Sequence, residues 1–334
     1  MKPRFAALDG LRGVAALGVL LYHAADWSGR PGVFAHGYLA VDFFFCLSGF
    51  VLAHAFQERE ISWGGYLWIR VVRIWPMVVL SMLIGALLSA RVNPTLWPDL
   101  LRGLLLIPRL VAHDVGVFPS LFPLNPPAWS LCFEILVSAL WFPLRRLPTL
   151  GLTMIVVVSG LLMLWVSTGM GGVQSGWDQD TLWIGVTRAT YSFGLGWACW
   201  RCRALAPKPR LIVPVVVLMA VLVSPVTGWN GVFDFVCISL LFPLLVLMGA
   251  HDPKGAAGRL CRWAGEVSYP LYILHWAGWS VMISLFLHGW TQRLPVWFAA
   301  LAVVLLPLVG ALVFRVYDAP VRAALTRLGR RAGL

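Results

Sequence analysis

Apolar stretches of near-constant length recur along the chain, separated by short polar breaks. Ten can be drawn: Leu8–Trp27, Leu39–Phe56, Ile74–Ala90, Ala128–Phe142, Leu150–Thr168, Leu182–Trp200, Leu211–Val226, Gly231–Gly249, Ser268–Leu287 and Leu294–Tyr317. A helix needs about 20 mainly apolar residues to cross the hydrocarbon core of a bilayer. The pattern predicts an all-α integral membrane protein with about ten transmembrane helices. Within the longest break, Leu100–Leu110 is amphipathic but too short to cross, and is expected in the interface or as a re-entrant piece. No fixed-period repeat is present, which disfavours an inverted-repeat transporter. The first stretch carries Asp9 and Arg12 and lacks a small-residue cleavage site, so a retained helix is expected there. The organisation predicted is one polytopic domain over residues 1–334 with no fused soluble domain.

Composition sharpens this picture. The residues are 60% apolar and 12% charged, with a mean hydropathy of +0.81, which excludes both a water-soluble fold and disorder. The net charge of +12 could suggest nucleic acid, but no Lys/Arg run of the kind that tracks phosphates occurs, so no nucleic-acid partner is expected. The charges encode topology instead. With the N-terminus inside, 18 of the 26 Lys and Arg fall in inner segments. Five fall outside (Arg30, Arg91, Arg102, Arg109 and Arg293) and three within spans (Arg12, Arg188 and Arg315). Both termini are therefore expected in the cytoplasm, the protein being multi-pass. Cys199 and Cys202 form a CxxC without a second pair, so neither zinc nor a disulfide framework is expected. His36, His54, His113, His251 and His288 lack metal-ligand spacing. HExxH, P-loop, GxGxxG and GxSxG patterns are missing.

Ionisable side chains at membrane depth cost roughly 2.5–3.5 kcal/mol on insertion scales and point to function by default. Arg12 and His23 are eleven residues apart, which places them within ~20° of one helical stripe and about 16 Å apart along the axis. The plainer alternative is an Asp9–Arg12 pair near the interface with His23 bonded in the core. Glu134, in Trp129-Ser130-Leu-Cys-Phe-Glu134, is expected one to two turns below the outer surface, near the depth of His23. Its alternative is an ion pair with Arg188. His275 is expected about two turns into the ninth span from inside, as a catalyst or a core histidine. Arg70 and Arg73 open the third span at its inner end, as lipid-phosphate snorkels or as a phosphate-binding pair. The Trp-rich span ends read as interfacial belts.

These residues form an ordered set that resembles the type-3 acyltransferases of bacterial membranes. The resemblance rests on Leu8-Asp-Gly-Leu-Arg12-Gly13 with His23, and on Gly37-Tyr-Leu-Ala-Val-Asp42 running on to Leu47-Ser48-Gly49. Arg73-Ile-Trp-Pro76, Trp129-Ser130-Leu131 with Glu134, and Tyr272-Ile-Leu-His275 continue it across the chain. Two departures stand out: Ser138 replaces an aromatic residue four positions after the acid, and Asp318 stands before the C-terminal proline where Glu is more usual.

The resemblance implies a membrane O-acyltransferase that moves a short acyl group, acetyl by expectation, from cytosolic acyl-coenzyme A to a hydroxyl. The acceptor implied is a carbohydrate or lipid-linked sugar on the extracytoplasmic side. Acyl-coenzyme A is a donor substrate, and no tightly bound cofactor is expected. The residues implied in catalysis are His23, Glu134, Arg12 and His275, with His23 as general base or acyl carrier, Glu134 orienting it, and His275 or Arg188 stabilising the oxyanion. Arg70, Arg73, Arg188, Asp42, Ser48, Trp129, Ser130 and Tyr272 are expected to bind substrate. A proton-coupled exporter or flippase stays open as the alternative, since a His/Glu/Arg chain across a bundle is also a proton relay.

Overall fold

The computed structural model describes residues 5–91, 93–110, 120–207, 210–286 and 293–333. Lys2, Arg4, Lys208, His113 and His288, and the expected end of the ninth span at Leu287, lie outside the described residues.

The described chain is helical. Helices α1 (Ala6–Trp27), α2 (Ala40–Phe56), α3 (Trp63–Ser89) and the short α4 (Leu96–Leu105) are followed by α5 (Ala128–Leu144), α6 (Thr149–Gly169) and α7 (Leu182–Arg201). Then come α8 (Ile212–Val223), α9 (Asn230–Val236), α10 (Phe242–Met248), α11 (Gly255–Phe286), α12 (Val296–Val313) and α13 (Ala319–Arg331). Two π-helical turns, Cys237–Leu241 and Phe314–Asp318, join α9 to α10 and α12 to α13, so each pair runs on as one rod. Each apolar stretch of the sequence coincides with a helix or such a rod, and α4 overlaps the amphipathic piece.

Five of these segments are long and apolar enough to cross a membrane: Gly37–Phe56, Trp63–Ser89, Thr149–Gly169, Asn230–Met248 and Val296–Arg331. Their burial sorts them. The apolar window of Gly37–Phe56 is 72% buried inside the protein, whereas that of Thr149–Gly169 is only 22% buried. Helix α6 turns Met154, Val158, Leu161 and Trp165 outward, the face expected against lipid. Helices α1, α7 and α11 are as long but carry ionisable and small residues, and they fill the interior.

Small residues set how closely the inner helices approach, as in membrane bundles generally. Helix α2 lies against α7. A Cβ at Gly196 would sit 1.8 Å from the Cys46 carbonyl oxygen, and one at Gly49 would sit 2.1 Å from that of Phe193. The glycine of the Leu47-Ser48-Gly49 motif is thus a backbone-to-backbone contact point. Helix α1 lies in parallel along α11, with Gly13 against Ala264.

Two helix starts differ from expectation in a way that moves the candidate site. Helix α3 begins at Trp63 and α11 at Gly255, eleven and thirteen residues before the expected span ends at Ile74 and Ser268. The polar residues of those first turns dilute the apolar signal, yet the turns are held by neighbouring helices. In α3 the Ser62 hydroxyl also caps the first turn by accepting from the Gly65 N–H at 3.1 Å.

Candidate active site

Arginines from three rods converge on one cavity of about 440 Å³, within the roughly 300–1,000 Å³ usual for small-molecule sites. Arg12 comes from α1, Arg70 and Arg73 from α3, and Arg322 from α13. Arg70 and Arg73 are two to three turns inside α3, not at its opening as the sequence suggested.

Each arginine is held differently. Arg12 Nη2 is 2.5 Å from Asp9 Oδ1, and its Nε donates to Ser268 Oγ at 3.0 Å. The local Asp9–Arg12 pair therefore forms, and Arg12 lines the cavity as well. Arg70 Nη2 is 2.5 Å from Glu134 Oε1, which also accepts from the Ser48 hydroxyl at 2.9 Å. Arg73 has no ion-pair partner among the described residues.

The pairing of Glu134 corrects two expectations. It does not pair with Arg188, and it is not placed beside His23; Arg70 and Ser48 hold it. The reason is the early start of α3, which carries Arg70 about 10 Å into the bundle, level with Glu134 on the antiparallel α5.

Arg188 and Asp42, expected at the substrate, close on each other away from the cavity lining. Arg188 Nη2 is 2.5 Å from Asp42 Oδ2, and its Nε donates to Oδ1 at 3.2 Å. The carbonyls of Ser175 and Tyr38 accept from Nη1 at 2.7 Å and Nη2 at 3.2 Å. The guanidinium also lies 5.2 Å from the centre of the Trp129 ring, so Trp129 too serves this pair and does not line the cavity. Next to it, the Asp234 carboxylate accepts from the Tyr38 hydroxyl at 2.9 Å and from the Val173 N–H at 2.9 Å. His36 Nε2 meets Asn230 Oδ1 at 2.6 Å in the same network.

At its far end the cavity is lined by Ser130 and Tyr272, whose hydroxyls are 2.6 Å apart. One turn further along α11, His275 Nδ1 donates to the Tyr272 carbonyl at 2.6 Å. A carbonyl can only accept, so in the neutral ring Nε2 is the basic nitrogen. That Nε2 is buried and has no hydrogen-bond partner in the described structure. The His275 ring stacks on His23 with centroids 5.1 Å apart and planes at 23°. Trp276 and Tyr22 meet His23 edge-on.

His275 is thus not two turns from the start of its helix. It lies twenty residues, about 30 Å, along α11, beside the seventeenth-residue rise that carries His23 to the far end of α1. His23 is not on the cavity wall; Tyr272 and His275 stand between them. Of the expected residues, the fold gathers Arg12, Ser48, Arg70, Arg73, Ser130, Glu134 and Tyr272 on one cavity. Sequence reasoning passed over Arg322, Ser268 and Tyr269 there; the i,i+4 spacing of Asp318 and Arg322 was the available signal.

A family model described as an acyltransferase domain matches residues 5–316. The chain belongs to this acyltransferase family. Protein 2 in the picA locus of Rhizobium radiobacter is 37% identical over 185 residues, 49% of this chain and 94% of that protein. A Staphylococcus aureus (strain COL) protein provisionally named an O-acetyltransferase is 25% identical over 358 aligned positions, 94% of this chain and 57% of that one. The peptidoglycan O-acetyltransferase of Listeria monocytogenes is 22% identical over 359 positions, 95% of this chain and 55% of that one. The chain spans little more than half the length of the staphylococcal and listerial proteins. No solved structure matches it.

Proposed function

We propose that this acyltransferase carries an acetyl or similarly short acyl group from acyl-coenzyme A, entering from the cytoplasm, to a hydroxyl presented from the far side of an inner membrane. The carrying observation is the single cavity that has arginines along one end and the Ser130–Tyr272 pair at the other, one turn from the His275–His23 stack. Guanidinium groups suit the phosphates of coenzyme A, which they grip through forked, charge-assisted hydrogen bonds. The thin pantetheine arm fits the remaining cavity, with its thioester directed towards Tyr272.

The chemistry then needs a base at the far end. The acceptor oxygen attacks the thioester carbonyl as its proton passes to an imidazole, the C–S bond breaks, and that proton returns to the departing thiolate. His23 is the base in this scheme, because it is only half-buried and its ring makes no hydrogen bond to a described residue. His275 orients it by stacking, a role the sequence reading gave to Glu134. Glu134 instead holds Arg70 in place at the donor. A carbohydrate or lipid-linked sugar is the acceptor class, on the strength of the listerial relative's name.

The topology proposed with it has ten spans, both termini in the cytoplasm and Arg70, Arg73 and Arg322 on the cytoplasmic half. The excess of Lys and Arg on that side supports it.

Single-turnover acyl transfer tests the reading. His23→Gln keeps polarity and volume but cannot carry a proton, so it is expected to lower the rate by about 10²–10⁴ while leaving coenzyme A binding within a few-fold. Retention of more than about a tenth of the rate would remove His23 from the base role. A protein that gains no thermal stability from coenzyme A would fit the exporter alternative, since a ligand held only by the folded state must stabilise it.

A further inference from the structure

The family model ends at residue 316, yet the cavity does not: Arg322, from α13, lines it. We propose that Arg322 is an anion-binding residue that, with Arg73, takes a phosphate at the nucleotide end of the donor, and that Asp318 positions it. The inference rests on the coenzyme A reading above and adds a residue to it.

The local backbone is shaped for this. Phe314 and Arg322 are eight residues apart, which in an unbroken α-helix would leave them about 80° apart. The π turn Phe314–Asp318 takes up one extra residue, roughly 100° of rotation, and returns both to within about 20° of one stripe. Both do line the cavity. The rod is fixed against α3 as well. Tyr317 donates to the Pro76 carbonyl at 3.1 Å, and Tyr269 of α11 donates to the Ile74 carbonyl at 2.6 Å.

The side chain is then aimed by its neighbours. Arg322 Nη2 is 2.5 Å from Asp318 Oδ2, with Asp318 fully buried. The guanidinium lies 5.7 Å from the centre of the Tyr269 ring. Its Nε is buried and has no hydrogen-bond partner in the described structure. Arg73 lines the same cavity as Arg322. Asp318 pairs with Arg322 and not with Arg73, so two guanidinium groups stand at one end of the cavity with a single paired carboxylate between them and the helix backbone. Glu266 is the further acid on this wall, while Asp9 and Glu134 are engaged by Arg12 and Arg70. Like charges are costly to gather at low dielectric, and a bound dianion relieves that cost. An arginine with five donors can keep Asp318 and still present a free edge to phosphate.

The test compares coenzyme A with pantetheine, which lacks every phosphate, on the purified full chain. Arg322→Gln is expected to weaken coenzyme A binding roughly ten- to a hundred-fold and to leave pantetheine binding unchanged. Equal losses for both ligands, or no loss for coenzyme A, would overturn the assignment. If Arg322→Gln does not fold, wild-type protein decides by phenylglyoxal labelling. Coenzyme A should protect Arg322 from modification and pantetheine should not; lack of protection by coenzyme A overturns the inference. Wild-type protein that ignores coenzyme A sinks the donor reading and this inference with it. Wild-type binding with an unaffected Arg322→Gln sinks only the latter.

Discussion

Two of the arginine–carboxylate pairs among the described residues, Arg188–Asp42 and Arg70–Glu134, have surroundings that give them opposite uses. Arg188–Asp42 is sealed: the side chains are 2% and 0% exposed, and the guanidinium also donates to two carbonyls. Arg70–Glu134 has the same 2.5 Å contact, but Glu134 is 21% exposed and both residues line the cavity. Arg70 Nε lacks a hydrogen-bond partner in the described structure. A pair in which each guanidinium nitrogen is engaged is a clasp between helices. A pair with donors in reserve beside a cavity can accept a ligand. Both are an arginine against a carboxylate; the remaining partners of each separate them.

Breaking the clasp should have the largest effect. Asp42→Asn leaves a buried guanidinium uncompensated and should cost about 3–5 kcal/mol, read as loss of folded protein in thermal or denaturant unfolding in detergent. The double variant Asp42→Leu with Arg188→Met should regain much of that stability, since apolar replacements of whole buried pairs are often neutral. If the double variant instead lost donor affinity while remaining folded, the clasp would have a share in binding.

The cavity pair should respond in function before stability. Glu134→Gln should lower coenzyme A affinity roughly tenfold through a loosened Arg70, with a smaller fall in unfolding temperature than Asp42→Asn gives. A stability loss matching that of Asp42→Asn, with binding unchanged, would erase the distinction between the pairs.

Ser48 sharpens the same contrast at a smaller scale. Ser48→Ala removes one hydrogen bond to Glu134 and should cost about 1 kcal/mol, about fivefold in donor affinity. Titration of binding against coenzyme A would resolve that change.

The orientation has its own check, independent of any ligand. A reporter after residue 333 should work only in the cytoplasm, and a tag in the loop before Leu182 should be reached from outside. The reverse pattern would put Arg70, Arg73 and Arg322 on the wrong side for a cytosolic donor.

Much of this was legible along the chain. Periodic apolar runs located the helices, because each must bury or expose a whole apolar face. The charges inside those runs marked Arg12 and Glu134, because lipid tolerates such groups only for a reason, and the pair just ahead of the third run marked Arg70 and Arg73. The motif glycines were visible too, though not their partners across the bundle. Three matters needed the tertiary structure. The depths of Arg70 and His275 depend on where α3 and α11 begin, and their polar first turns are helical only because other helices hold them. The partners of Glu134 and Arg188 depend on which helices are neighbours, which one-dimensional spacing does not encode. The place of Arg322 depends on a π turn that rotates the last helix by one residue, a shift of backbone hydrogen bonding that leaves the apolar pattern unchanged.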